Sequence, residues 1–407
     1  MHRRRVRFRL LVAVAFLLVA GCATEPATFL APPPIPAAAR PAHNLEVFDC
    51  SWTLVNEKFF DAKLLDATWV ASRVKFRAEA EKAADEPSLY ATINRMLSQL
   101  KESHLVALLP KSAFEFRTQR IAGVGIRMIQ VEGKRVITEI IPGSPAETAG
   151  IKPGWLVVSR DGVEIEKAGP STAVPGTPIK FEFLDLHDLP RTMTLKAAVV
   201  TFERREARVV GDGVLLVRFD TFNSAAMSFL SRELKEHRGA PAVIVDLRQN
   251  PGGLSGVLRV TLGEFFDHSV EGGNFIRRGG RERVWNSVSF FSARYTGRVV
   301  VLLDRSSASS SEIFAHVLQH HHRAVVIGRK SAGAVLGAKF YALPGGGRLE
   351  VPEEDYVGLD GKRLEGRGVT PDVNVAAATL ADWRATRDPD LAAALTELRK
   401  PRSISRN

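Results

Sequence analysis

The segment Asp304-Arg305-Ser306-Ser307-Ala308-Ser309-Ser310-Ser311-Glu312 ends an apolar run, Arg298 to Leu303, and opens a stretch where Ile313, Phe314, Val317 and Leu318 recur at helical spacing. A serine at such a junction faces the unpaired N–H groups and positive dipole end of a helix. Those groups could hold a developing oxyanion, which makes Ser309 a candidate nucleophile for acyl transfer. Ser309 and Glu312 also fit S-x-x-E, a capping box, and this pattern alone leaves both roles open. A second segment, Ala242-Val243-Ile244-Val245-Asp246-Leu247-Arg248-Gln249-Asn250-Pro251-Gly252-Gly253, reads as a buried strand followed by a glycine turn whose N–H groups could point into a cleft. A serine hydroxyl needs a base within hydrogen-bond reach. Histidine, with a pKa of about 6.5, can accept and return a proton at neutral pH, and His104 ends the run Leu97 to His104. His316 and His320 lie four apart, with Glu312 four before and His321 and His322 after, but H-E-x-x-H is absent. Histidines in a last helical turn also complement the dipole, so no metal site is assigned.

The elements that must position these residues follow from periodicity. Phe48, Trp52, Val55 and Phe59, then Leu89, Ile93, Met96 and Leu97, predict a helical domain over 43–115. Over 116–199, short β-like runs alternate with glycine and proline. Within them Ile121-Ala122-Gly123-Val124-Gly125-Ile126, Ile140-Ile141-Pro142-Gly143-Ser144-Pro145-Ala146 and Ala149-Gly150-Ile151-Lys152-Pro153-Gly154-Trp155 resemble a PDZ domain of the kind found in bacterial proteases. The resemblance implies that Gly123, Val124, Gly125 and Ile126 offer N–H groups to a peptide's terminal carboxylate, with the adjacent strand edge pairing to the peptide. Over 200–378, the runs Val214 to Phe219, Ala242 to Leu247, Arg298 to Leu303 and Ala324 to Ile327 predict strands covered on both faces. Ala338 to Leu343 and Arg348 to Val351 predict a hairpin, and 379–407 a C-terminal helix and tail. The expected architecture is multidomain α+β, with an N-terminal helical domain, a β-rich domain and an α/β core built on a mixed sheet.

Together, D-L-R-x-N-x-G-G and S-A-S-x-S-E resemble the tail-specific, or C-terminal processing, serine protease family. The resemblance implies Ser309 as nucleophile and an oxyanion hole from a backbone N–H at Gly252 or Gly253 and that of Ser310. In the family's Ser/Lys branch a lysine base follows the nucleophile by 25 residues. Here that position is Ala334, with Lys330 and Lys339 out of register. Leu97 to His104 instead resembles the L-x-D-S-H element of the tricorn-like Ser/His branch, and Leu364-Glu365-Gly366-Arg367-Gly368-Val369-Thr370-Pro371-Asp372 resembles its E-x-x-G-V-x-P-D. That implies His104 as base, held by Ser103 and Glu365, in an endopeptidase needing no cofactor. The missing lysine leaves a second possibility, a catalytically inactive PDZ scaffold that only binds peptides.

The chain has 407 residues, 45% hydrophobic and 25% charged, enough for several domains. Its formal charge of +11 falls to +6 once Arg3, Arg4, Arg5, Arg7 and Arg9 are set aside, leaving 51 basic residues against 45 acidic. No later basic run carries interleaved aromatics, which argues against a nucleic-acid partner. Residues 1–21 read as an export signal, with a basic start and an apolar run, Leu10 to Ala20, too short to span a bilayer. Val19-Ala20-Gly21-Cys22 resembles a bacterial lipobox, which implies diacylated Cys22 as the new N-terminus and a membrane anchor. Ala23 after it implies, by the same resemblance, the outer membrane facing the periplasm. Residues 22–42, rich in proline and alanine, then form the tether. With Cys22 lipidated, Cys50 has no partner for a disulfide and the exported fold must rest on its core.

Overall fold

The computed structural model describes residues 29, 32–169, 171, 173–289 and 295–401. The signal segment and Cys22 lie outside the described residues. Three helices, Arg40–Lys58, Ala67–Glu81 and Glu86–Leu97, open the fold. The first begins inside the segment expected to be tether, because Pro41 occupies its first turn, where the missing N–H has no helical acceptor to lose. Asp66 caps the second by accepting from Thr68 and Trp69 N–H, and Asp85 caps the third by accepting from Ser88 N–H. Their apolar faces (Phe48, Val55, Phe59, Trp69, Ile93) meet Ala107, Leu349 and Val351 in one buried cluster. Those three belong to a sheet in which strand Arg348–Val357 is bordered by Val106–Leu108, Gly337–Ala342 and Glu271–Arg277, the last pairing with Arg281–Asn286. A further helix, Pro110–Thr118, straddles the boundary expected near residue 115.

A second sheet runs Ile126–Val131, Lys134–Ile140, Leu156–Arg160, Pro178–Leu184, Pro190–Lys196 in spatial order, all antiparallel. It closes over Ile137, Trp155, Phe181 and Phe183. Strand Ile126–Val131 is its edge. Arg120–Gly123 pairs outside this sheet with Ala198–Thr201.

The third sheet is mixed. Arg205–Val210 lies antiparallel to Val214–Phe219, after which Ala242–Asp246, Arg298–Leu303, Val325–Gly328 and Val373–Asn374 follow in parallel. Its strands are apolar almost throughout because both faces are covered. Helices Ser224–Glu236, Ser255–Gly263 and Ser310–His320 pack on one face around Phe222, Leu258 and Phe314. Helix Pro389–Arg399 packs on the other, against Ile244, Val300 and Leu302. Parallel strands release their following loops at one end of the sheet, the usual place for a site in an α/β core. The loops after Asp246, Leu303 and Gly328 all emerge there.

Candidate active site

The first of these loops is organised by Asn250, which is fully buried. Its Nδ2 donates to the Phe219 carbonyl at 2.8 Å, and its Oδ1 accepts from Gly252 N–H at 2.9 Å. The N–H of Gly252 is therefore committed, which leaves Gly253 as the glycine donor available to the cleft. Gly252 (φ 101°) and Gly253 (φ 146°) both occupy backbone that side chains rarely adopt. A Cβ on Gly252 would stand 2.6 Å from Ser309 Cβ, and one on Gly253 2.5 Å from the Phe222 carbonyl oxygen. The turn thus lies directly against Ser309.

Upstream, Asp246 and Arg248 brace the turn. Burial alone would raise the Asp246 carboxyl, but the Arg248 guanidinium, 2.7 Å away, overrides it and brings the pKa to about 2. Arg248 also pairs with Asp388 and Asp390, tying the C-terminal helix to the strand that leads into the turn.

Ser309 sits at the N-cap of helix Ser310–His320 with φ 54° and ψ −120°, a strained conformation for a residue with a side chain. What holds it there is Glu312. Oε1 of this fully buried carboxylate accepts from Ser331 Oγ at 2.5 Å and Gly333 N–H at 2.7 Å. Oε2 accepts from Ala334 N–H at 2.8 Å and Ser309 N–H at 3.2 Å. Burial raises the Glu312 pKa, and these donors pull it back. The capping box exists, yet Glu312 N–H has the Ser309 carbonyl as acceptor at 2.9 Å, and the carboxylate gathers the third loop as well as capping the helix. Among the described residues, no acceptor takes the N–H of Ser310 or Gly253, and the Gly253 carbonyl accepts from Ser310 Oγ at 2.9 Å beside Ser309.

The third loop brings Ala334 to Ser309, whose N–H donates to its carbonyl at 2.6 Å. The next residue, Val335, donates its N–H to Glu365 Oε2 at 2.6 Å, and Glu365 Oε1 accepts from Ser103 N–H at 3.1 Å. Ser103 Oγ in turn lies 2.7 Å from Nδ1 of His104. Ser103, His104, Glu365 and Ser309, drawn from sequence positions up to 262 residues apart, are thus connected by hydrogen bonds that run through the Ser103 residue and the Ala334-Val335 peptide. Burial lowers the His104 pKa, and the Glu365 charge partly restores it. His104 also has positive φ, 57°.

The alternatives to His104 lie elsewhere. Lys339 pairs with Glu353 at 2.6 Å, and Lys330 is exposed. His316 is buried, its pKa pushed down to about 4 by burial, and its Nε2 accepts from Leu359 N–H at 3.1 Å. His321 Nε2 contacts the Glu271 carbonyl. At the far side, Gly125 (φ 81°) packs so closely that a Cβ would stand 2.1 Å from Ser144 Cβ, and the Val124 carbonyl accepts from Ala146 N–H. Ile126 then begins the edge strand.

Sequence reasoning missed Asn250 and Glu312 as organisers of the site. Asn250 stands inside D-L-R-x-N-x-G-G, so a buried amide next to two glycines was a usable signal. For Glu312 the signal was present but explained by the cap.

Residues 213–375 match the profile of Peptidase family S41. The carboxyl-terminal-processing protease of Synechocystis sp. is 27% identical over 345 residues, spanning 79% of this chain and 78% of that protein. The carboxy-terminal-processing protease of Bartonella bacilliformis is 27% identical over 312 residues, 72% of this chain and 70% of the other. In fold, the chain resembles the photosystem II D1 C-terminal processing protease, with TM-score 0.57 and 22% identity, covering 88% of this chain and 97% of that one. It also resembles the tricorn protease, with TM-score 0.54 and 18% identity, over 88% of this chain and 37% of that one. These matches define a serine-type peptidase. Over residues 213–375 the chain is similar to Peptidase family S41, and over most of its length it is similar to carboxyl-terminal-processing proteases.

Proposed function

We propose that the protein is an endopeptidase working through an acyl-enzyme on Ser309. Ser309 Oγ attacks the scissile carbonyl while His104 Nε2 takes its proton and later returns it to the leaving amine. The negative charge that develops on the carbonyl oxygen is received by the N–H groups of Gly253 and Ser310. Water then cleaves the ester, with His104 again as base. Ser103 holds Nδ1 of the imidazole, and Glu365 holds the backbone of Ser103 while its charge favours the imidazolium that forms. The observation that carries this reading is the hydrogen-bonded path from Ser103 through Glu365 and Val335 to Ala334 and Ser309. An inactive scaffold would need neither that path nor the strained backbone of Ser309. A fluorophosphonate probe tests it: labelling of Ser309 in wild type, lost in Ser309→Ala, is expected, and a wild type inert to the probe would favour the scaffold.

The segment 116–199 is proposed as a PDZ domain that takes the C-terminal ends of its protein substrates, with edge strand Ile126–Val131 pairing to them. Gly125→Val is a poor test, because the new side chain would collide with Ser144. Comparing free-acid with amidated peptides on the wild-type protein is cleaner, and equal affinity for both would defeat carboxylate capture. The substrates are proposed to be envelope proteins, met after export by the segment 1–21 and lipidation of Cys22 in the outer membrane. Metabolic labelling with a palmitate analogue should tag wild type and spare Cys22→Ala.

A further inference from the structure

Glu350 stands in the middle of strand Arg348–Val357, between Val106 on one neighbouring strand and Phe340 on the other. Its sequence neighbours Leu349 and Val351 point into the helical core, so Glu350 points to the opposite face of the sheet. Val106 and Phe340 share that face, and the ring of Phe116, from helix Pro110–Thr118, meets Phe340 at 5.0 Å. Val106 follows His104 by two residues. At about 3.3 Å per residue and about 5 Å across strands, Glu350 lies within roughly 10 Å of His104, the span of about three residues of an extended peptide.

In this apolar setting the carboxylate is alone. Among the described residues, no hydrogen bond or ion pair reaches it, whereas neighbouring acids on the same strand are engaged: Glu353 with Lys339 and Glu354 with Arg277 and Arg283. Burial pushes its pKa to about 7, with no contribution from Arg348 two residues away on the same face. Its oxygens are not sealed in the core, since the residue is only half-buried. A half-buried acid without a partner, walled by aromatic and branched side chains, is suited to a long cation whose stem packs on the walls while its head meets the carboxylate.

We propose that Glu350 is the specificity-determining residue of a subsite that receives a lysine or arginine side chain of the bound peptide, close to the bond being cleaved. The assignment rests on the hydrolytic reading above. A peptide series carrying lysine, norleucine or glutamate at one position, scanned across three residues on each side of the cleaved bond, tests it in the full-length protein. At one position kcat/KM for lysine should exceed that for norleucine by about tenfold or more, with glutamate slowest. Glu350→Gln should abolish this preference and Glu350→Lys should reverse it in favour of glutamate. Thermal melting is followed in both, so that a single misfolded variant does not decide the outcome. A wild type indifferent at every position, or a lysine preference that survives both substitutions, would overturn the assignment. Cleavage that persists in Ser309→Ala would instead overturn the choice of nucleophile, and the Glu350 comparison would still be readable.

Discussion

The N–H of Ser309 donates to the carbonyl of Ala334, 2.6 Å away, so the position that aligns with the lysine of the Ser/Lys branch is here a backbone clamp on Ser309. With Ser309 as the proposed nucleophile, its base must come from a different part of the chain, and the loop holding Ala334 is itself bonded to the carboxylate that holds Ser103.

If His104 serves as that base, His104→Ala and Ser309→Ala should each lower kcat/KM by about 10³-fold or more, and the double mutant should be hardly worse than either, since members of one relay act as a unit. Lys330→Ala and Lys339→Ala should keep wild-type rates. Normal turnover in His104→Ala, with loss in either lysine variant, would assign the base to lysine.

The pH profile should report the same residue. A base must start neutral, so activity should rise as pH climbs through the His104 pKa, and burial places that step below the ordinary histidine value. The Glu365 carboxylate favours the imidazolium and so raises this pKa. Glu365→Gln should therefore shift the acid limb of kcat/KM to lower pH, together with a fall in kcat from the loosened Ser103 backbone. An acid limb displaced upward in that variant would contradict the electrostatic role.

Gly252→Ala and Gly253→Ala should both inactivate, for different reasons. The first drives a methyl into Ser309, and the second pushes against the Phe222 backbone and turns the free N–H away. Misplacing one oxyanion donor costs roughly 3 kcal/mol in the barrier. A kcat loss with little change in KM, measured on a short peptide, is the expected signature for Gly253→Ala.

Glu312→Ala removes an acceptor for three main-chain N–H groups and one hydroxyl; Ser309 N–H keeps the Ala334 carbonyl, while Ser331 Oγ and the N–H groups of Gly333 and Ala334 lose their partner. Leaving such donors unpaired should cost about 3 kcal/mol or more in urea unfolding, and fluorophosphonate labelling of Ser309 should fall with it. Unchanged stability would mean that water replaces the carboxylate.

Much of this site was legible in the sequence because its parts are local motifs: a strand running into Gly252-Gly253, a strand-to-helix junction at Ser309, and a histidine preceded by serine. The mixed sheet was legible for a similar reason, since strands buried on both faces are apolar throughout. Val214–Phe219 and Arg298–Leu303 appear with the bounds their apolar runs predicted, and Ala242–Asp246 ends one residue short of its run. What could not be read depends on which groups meet through space. Only folding decides that Asn250 Oδ1 takes Gly252 N–H, or that Glu312 reaches Gly333 and Ala334. Glu350 was invisible because a single acid in a strand carries no periodicity, and its isolation comes from what the neighbouring strands fail to offer.

The clasp around Arg248 sets an order of events for a chain made from its N-terminus. Its partners Asp388 and Asp390 lie 140 and 142 positions downstream, and Asp390 also holds Arg329 on the loop beside Ala334. Until the last helix has emerged and docked, Arg329, on the loop that reaches Ser309, lacks its counter-charge, and Arg248, at the root of the Gly252-Gly253 turn, has Asp246 alone. The two loops that meet at Ser309 are therefore not fully braced until the C-terminal helix is in place.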